Sequence, residues 1–207
     1  MTEKTDLKRA LDGYRARRGE VRMLELPASR FLAVDGRGDP NTAPAYREAL
    51  EALYPFAYAT KFASRRVLSR DYVVPPLEGL WWADDVAAFT ERRDKTQWCW
   101  TMMILVPDWV SDEVLAHARE TARAKTVRAD DVRVMALDEG LCVQTLHVGP
   151  YDDEGPAIER MHAHALAAGY RLSGRHHEIY LGDARRTAPE RLRTILRQSI
   201  VRAEPQV

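Results

Sequence analysis

Two stretches of the sequence decide the fold: FLAVDGRGDP at residues 31–40 and CVQTLHVGPY at residues 142–151. Each is an apolar run that ends in a glycine-containing turn, which is typical of a buried strand followed by a tight connection. A segment with helical apolar spacing follows each of them, and two further apolar runs come after it. Those runs are LEGLWW and WCWTMMILV in the first half and HEIYL and RTILRQSIV in the second. Both halves therefore predict the order strand, glycine turn, helix, strand, strand.

This repeat predicts the architecture. A period of about a hundred residues indicates a duplicated module rather than a solenoid. We expect an α+β fold of tandem strand–helix–strand–strand modules with pseudo-twofold symmetry, an antiparallel sheet with helices on one side, and a ligand cleft between the halves. The chain is expected to form one domain, residues 1–207, which divides into an N-terminal extension at 1–22, a first module at 23–110, a connecting helix and strand at 111–139 and a second module at 140–207.

Three local features carry expectations of their own. Leu7, Leu11 and Tyr14 recur at helical spacing, which predicts a short N-terminal helix against the body of the protein. Pro55 lies inside a helical pattern and predicts a kink or a restart there, because proline removes a helical hydrogen bond. The segment Thr187–Glu190 has the spacing of a capping box and predicts the start of a short helix.

Composition and charge exclude several classes of protein. The chain has 207 residues, and its 31 Lys and Arg balance its 31 Asp and Glu. Such a neutral chain lacks the basic surface with which proteins bind nucleic acid. No apolar run approaches the roughly 20 residues that span a bilayer, and the first ten residues show no signal-peptide core. Two cysteines without metal-type spacing fit a reduced compartment. We therefore expect a cytoplasmic protein that binds neither nucleic acid nor membrane.

The strongest candidate for chemistry is the pair Glu178 and Tyr180. Strand alternation places both side chains on one face and Ile179 on the other. A poorly solvated carboxylate beside an aromatic ring is suited to act as a general base or to accept a cation. The alternative is that Glu178 forms an ion pair with Arg175 or Arg185 at the edge of the sheet. The residues alone favour neither interpretation.

Aromatic residues suggest a second candidate. Four of the five tryptophans lie between residues 81 and 100. Alternation places Trp98, Trp100 and Met102 on one face of their strand, and Trp82 is expected to share the wall from the preceding strand. Trp81 replaces Trp82 if the register slips by one residue. Such a wall suits a flat, conjugated or cationic ligand, whereas the alternative is an ordinary hydrophobic core.

Tyr151 follows the second glycine turn and is expected at the mouth of the cleft.

The sequence contains no motif for a metal site, a dinucleotide site or a serine nucleophile. The six histidines include no His-Glu-x-x-His pattern, Gly36 and Gly38 are too few for a dinucleotide fingerprint, and no Gly-x-Ser-x-Gly elbow occurs. We therefore expect no metal, no cofactor and a small molecule as the partner.

The segments LEGLWW, WTMMILVPDWV, HVGPYDDE, HHEIYLGDARR and LRTILRQSI resemble the GyrI-like small-molecule-binding family, and in particular its stand-alone bacterial members. The resemblance runs from about Leu24 to Val201. One departure is Ala184, where such proteins usually have proline. The resemblance implies the tandem fold and its ligand cleft. It also implies that Glu178 matches the acidic residue that meets cationic drugs in regulators of this family.

A similar subfamily hydrolyses cyclopropanoid cyclohexadienones with an aromatic cage. The resemblance implies that Trp82, Trp100, Tyr151 and Tyr180 form such a cage, and that Glu178 and Tyr180 are catalytic. The leading hypothesis is thus a binder of hydrophobic, planar or cationic xenobiotics that opens a cyclopropane. A non-catalytic drug-sequestering or effector-binding protein is the alternative, and a topoisomerase-inhibiting interaction protein ranks third. Monomer and homodimer both stay open.

Overall fold

The computed structural model describes residues 4–85 and 94–203. The described part of the chain contains ten β-strands, four α-helices and several single turns of 3₁₀-helix. In chain order the strands and α-helices are β1 (Lys4–Thr5), α1 (Leu7–Ala10), β2 (Val21–Leu26), β3 (Ser29–Arg37), α2 (Pro44–Leu68), β4 (Asp71–Tyr72), β5 (Leu77–Trp82), β6 (Cys99–Val106), α3 (Asp112–Arg123), β7 (Arg133–Leu137), β8 (Gly140–Val148), α4 (Gly155–Ala167), β9 (Tyr170–Tyr180) and β10 (Arg193–Arg202).

The predicted α+β class with antiparallel strands is confirmed. The chain divides into two compact units, of which the first contains the residues up to Ala10 and Ser29–Leu137. Its sheet has the order β5–β6–β3–β7, and every neighbouring pair is antiparallel. Helix α2 packs on this sheet and α3 packs against α2. Ser111 caps α3 by accepting a hydrogen bond from the Val114 amide.

The second unit contains Leu11–Ala28 and the chain from Asp138 onward. Its sheet has the order β2–β8–β10–β9, again antiparallel. Residues 23–28 were assigned by sequence to the first module, yet β2 pairs with β8 in this unit. Helix α4 covers one face of the sheet through a core that includes Val143, Met161 and Leu196.

Three local predictions need correction. Helix α2 does not restart at Pro55 but runs through it over 25 residues, and a kink at this residue stays a prediction. Leu53 and Phe56 beside it are fully buried, and their burial offsets the roughly 3 kcal/mol that an interior proline costs. A short 3₁₀ turn does begin after Thr187, at Pro189–Arg191, but its N-cap residue is Ala188 and no side chain caps it. The N-terminal helix is the single turn α1, followed by a 3₁₀ turn at Asp12–Tyr14, and Leu7 and Tyr14 are buried.

The Trp100 ring lies directly against the backbone of Gly36 in the first unit. They lie directly opposite each other on β3 and β6. The indole covers the glycine so closely that a Cβ at Gly36 would stand 2.0 Å from the nearest ring carbon. Trp100 is 0 % exposed, and its Nε1 donates to the Gly38 carbonyl at 3.2 Å. Since the ring is held on all sides, this strand position requires glycine.

A buried ionic network lies on the face of the second sheet that α4 does not cover. Glu139 accepts a hydrogen bond from Arg197 at 3.1 Å and lies 2.9 Å from Nδ1 of His177. Arg197 also donates to Gln144 and to the Gly13 carbonyl. Burial alone would raise the pKa of Glu139, but His177 and Arg197 outweigh it and lower the pKa from 4.5 to about 2. The network therefore anchors β9, β10 and the segment before β2 to one another.

We expect Gly36→Ala to lower the free energy of unfolding by about 1–3 kcal/mol, because the added methyl overlaps the Trp100 ring. Urea denaturation followed by tryptophan fluorescence measures the change. Gly182→Ala is the matched control, since the nearest side-chain atom to its Cβ is Thr187 Oγ1 at 3.4 Å. An equal loss of stability in both variants would contradict the assignment.

We expect the network to make stability depend on pH in a defined window. Because the Glu139 pKa is lower in the folded than in the unfolded state, the unfolded chain binds more protons as the pH falls from about 4.5 to about 2, and about 3 kcal/mol of stability is lost there. Glu139→Gln reduces this slope and is less stable at neutral pH, because Arg197 is left without its carboxylate; Asp12, Asp71, Asp130 and Asp183, whose pKa values are also lowered by cationic partners, keep the remainder. Denaturation across this pH range tests both statements, and Glu20→Gln, at an exposed position, is expected to keep the slope.

Candidate functional site

Strand β9 carries the candidate site of the second unit. His176, Glu178 and Tyr180 alternate with His177 and Ile179 along the strand. Glu178 lies opposite Leu196 of the core that α4 covers, so the first three face the helix. His177 and Ile179 are each 0 % exposed on the other face. Glu178 and Tyr180 therefore share a face, as the alternation predicts.

The Glu178 carboxylate lies between two neighbours on its own strand. Its Oε2 accepts a hydrogen bond from the Tyr180 hydroxyl at 2.8 Å, and its Oε1 lies 3.5 Å from Nε2 of His176. Its side chain is 14 % exposed, so it is not wholly enclosed by protein. Arg185, which the alternative interpretation paired with Glu178, instead donates twice to Asp183.

Tyr151 joins this group from the turn after β8. Its ring meets the Tyr180 ring edge to face, with centroids 5.6 Å apart. The turn is held by His147, whose Nε2 lies 2.9 Å from the Pro150 carbonyl oxygen, and by Gly149 at φ 143°. Tyr151 thus lies together with Glu178 and Tyr180, from which it is distant in the sequence. We call these three residues the carboxylate–tyrosine cluster.

Sequence reasoning missed two histidines behind this cluster. His176 is 5 % exposed beside Glu178. His162, on α4, has its pKa lowered to about 4, first by burial and then by its electrostatic interaction with His176. His162 and His164 lie on different sides of α4, as their spacing predicts, and His164 is exposed. No motif in the sequence indicates that His162 and His176 meet.

The first unit gathers aromatic side chains on the face that α2 covers. Trp81 lies directly opposite Trp100, and Tyr46 of α2 contacts both, with ring centroids at 6.3 and 5.3 Å. The Trp98 ring lies 5.9 Å from that of Trp81. Trp82 pairs with the position of Cys99 and therefore points to the other face. The aromatic wall therefore contains Trp81 in place of Trp82, which is the alternative register.

Burial separates the predicted ligand-binding residues of this unit. Trp100 and Met102 are 0 % exposed and lie in the core between sheet and helix. Tyr46 and Trp98 are half-buried, and Lys95 Nζ lies 5.8 Å above the Trp98 ring. Tyr46 and Trp98 therefore offer ring surface to a ligand on this face, whereas Trp100 and Met102 do not.

In residues 4–85 and 94–203, no three His, Cys, Asp or Glu side chains are grouped to hold a metal ion. No helix in the same ranges has the length and apolar character needed to cross a membrane.

Comparison with solved structures gives strong similarity over the whole chain. An uncharacterized conserved protein from Listeria innocua is 36 % identical, with a TM-score of 0.86, and the match covers 96 % of this chain and 100 % of that one. A hydrolase from Listeria innocua is also 36 % identical with the same coverage and a TM-score of 0.81. The C-terminal domain of EcmrR, 11 % identical with a TM-score of 0.54 over 89 % of this chain and 98 % of that one, shares the fold alone.

No curated protein matches the chain. The GyrI-like small-molecule-binding domain, in contrast, matches residues 19–197. That range contains β9 with its carboxylate–tyrosine cluster and the aromatic face of the first unit. The chain belongs to the GyrI-like family of small-molecule-binding domains.

Proposed function

We propose that this protein binds flat hydrophobic or cationic xenobiotics at its carboxylate–tyrosine cluster and hydrolyses the cyclopropane ring of cyclopropanoid cyclohexadienones there. The observation that carries the proposal is the 2.8 Å hydrogen bond from the Tyr180 hydroxyl to a partly exposed Glu178 carboxylate. The similarity to a hydrolase from Listeria innocua supports the catalytic part. The membership of the family supports ligand binding.

Glu178 is the general base of the proposed reaction. Its carboxylate takes a proton from a water molecule while the water oxygen forms a bond to the cyclopropane carbon. The strained carbon–carbon bond breaks, and its electron pair passes into the dienone, which becomes a phenolate. The phenolate then takes up the proton, so that the net change is the addition of one water molecule. General base catalysis of this kind contributes roughly 10²–10⁴-fold.

The two tyrosines supply orientation and a proton donor. The edge-to-face pair of Tyr151 and Tyr180 offers ring surface against which a flat ligand packs. Tyr180 can turn its hydroxyl from Glu178 towards the developing phenolate, where a donor stabilises charge in the transition state. Holding the ring system against Glu178 lowers the barrier further by positioning.

A specific observation favours a second candidate function, the binding of planar cations without turnover. Glu178 carries the negative charge, and the rings of Tyr151 and Tyr180 lie beside it, which together suit an aromatic cation. In this case the ligand is released unchanged. On the aromatic face of the first unit, half-buried Trp98 also presents ring surface to planar molecules.

We expect wild-type protein to convert a cyclopropanoid cyclohexadienone into its water-added phenol, and Glu178→Gln to lose this activity by roughly 10²–10⁴-fold while it folds normally. Mass spectrometry of the product and circular dichroism of the variant measure the two effects. Glu159→Gln, at an exposed position of α4, is the matched control and is expected to keep full activity. Activity of Glu178→Gln equal to that of wild type would remove Glu178 from the mechanism.

Paired dyes separate the charge contribution from the contribution of the rings. We expect Glu178→Gln to weaken binding of 9-aminoacridine, a cation at neutral pH, on the order of 10-fold, and to leave binding of neutral acridine nearly unchanged. Tyr151→Ala, within the same cluster, is expected to weaken both dyes alike, because ring contact does not depend on the ligand's charge. Fluorescence titration gives the dissociation constants. Equal losses for both dyes in Glu178→Gln would contradict a role of its charge.

A further inference from the structure

His176 is a buried, titratable side chain to which the proposed reaction assigns no role. It stands two residues before Glu178 on β9, and its imidazole is turned to the same face. Its Nε2 lies 3.5 Å from Oε1 of Glu178, which is within ion-pair range but does not form a hydrogen bond. The His176 side chain is 5 % exposed, so protein atoms rather than water surround it.

The carboxylate is thereby bounded on both sides. Tyr180 binds Oε2 and His176 faces Oε1, and the three side chains follow one another at alternate positions of one strand. His177, between them, is fixed on the opposite face by Glu139 at 2.9 Å. Rotation of the carboxylate about its terminal bond would bring an oxygen away from one of these neighbours. The arrangement therefore selects one orientation of the group that is to meet water.

His162 completes the surroundings of His176 from α4. Its Nε2 is buried and makes no hydrogen bond within the described residues. Because its pKa is lowered to about 4, it is neutral at ordinary pH and adds no charge beside His176. On the strand side, Gln198 of β10, an uncharged residue, lies opposite His176. His162 and Gln198 therefore add no charge beside the imidazole at neutral pH, and Glu178 faces it from its own strand.

We infer that His176 is the positioning residue of Glu178: it holds the Oε1 side of the carboxylate so that the base meets water in the productive orientation. This inference rests on the proposed function. It assigns His176 no contact with the substrate. A base that is misplaced by about an ångström loses on the order of 10²-fold in rate, so a positioning residue acts mainly on kcat.

Two amides of different length test the inference directly. Glutamine places its side-chain NH₂ near the position of Nε2, whereas asparagine is one methylene shorter and cannot reach Glu178. We expect His176→Gln to keep kcat within about threefold of wild type, and His176→Asn and His176→Leu to lower kcat on the order of 10-fold to 100-fold with KM nearly unchanged. His164→Leu, on the exposed side of α4, is the control and is expected to behave as wild type.

The inference is overturned if the glutamine and asparagine variants have the same kcat. It is also overturned if kcat, KM and the unfolding temperature change in parallel through the series, because that is the result of a purely structural role. The comparison of the two amides remains informative even where the leucine variant fails to fold.

A measurement without turnover separates this inference from the proposed reaction. Long-range ¹H–¹⁵N spectra of the histidine rings report the state of each imidazole nitrogen. We expect Glu178→Gln to shift the Nε2 resonance of His176, and Glu159→Gln to leave it in place. An unshifted resonance overturns the contact. Absence of product from wild-type protein, with the resonance shifted, refutes the hydrolase proposal alone and leaves the contact as the structure has it.

Discussion

The geometry of the candidate site depends on the compensation of one buried charge. Glu139 is ionised beneath the second sheet because His177 and Arg197 both contact its carboxylate. Removing either partner would leave an unpaired charge, so the three side chains hold one another in place. His177 is the residue between His176 and Glu178. Since strand side chains alternate with a period of two, fixing His177 on one face fixes Glu178 on the other.

Much of this arrangement follows from local sequence patterns. The apolar runs that end in glycine turns form β3 and β8, and the runs of both halves that follow the helices form β5, β6, β9 and β10. The pairing of Glu178 with Tyr180 follows from alternation alone, which needs only that the segment be a strand. Ser111 caps α3 because a serine before an acidic first turn satisfies free amides. These features depend on residues within a few positions of one another.

What the sequence does not reveal depends on distant partners. Glu139 meets Arg197 across 58 residues, and only the register of three strands brings them together. Strand β2 is followed within a few residues by β3, yet it pairs with β8 in the other unit. The choice between Trp81 and Trp82 depends on a register that alternation by itself leaves open, because a slip by one residue exchanges the two faces.

The second unit thus contains two carboxylates whose surroundings suit them to different roles. Glu139 is 8 % exposed and bound to Arg197, a permanent cation, so with a pKa of about 2 it accepts no proton at ordinary pH. Glu178 is 14 % exposed, and its neighbours are a phenol and an imidazole, neither of which is a fixed cation. Of the two, Glu178 has the more exposed side chain, whereas Glu139 is the one bound to Arg197. Glu139, which stabilises the fold, is therefore unsuited to act as a base. Its contacts with His177 and Arg197 fix strand β9, and with it the position of Glu178.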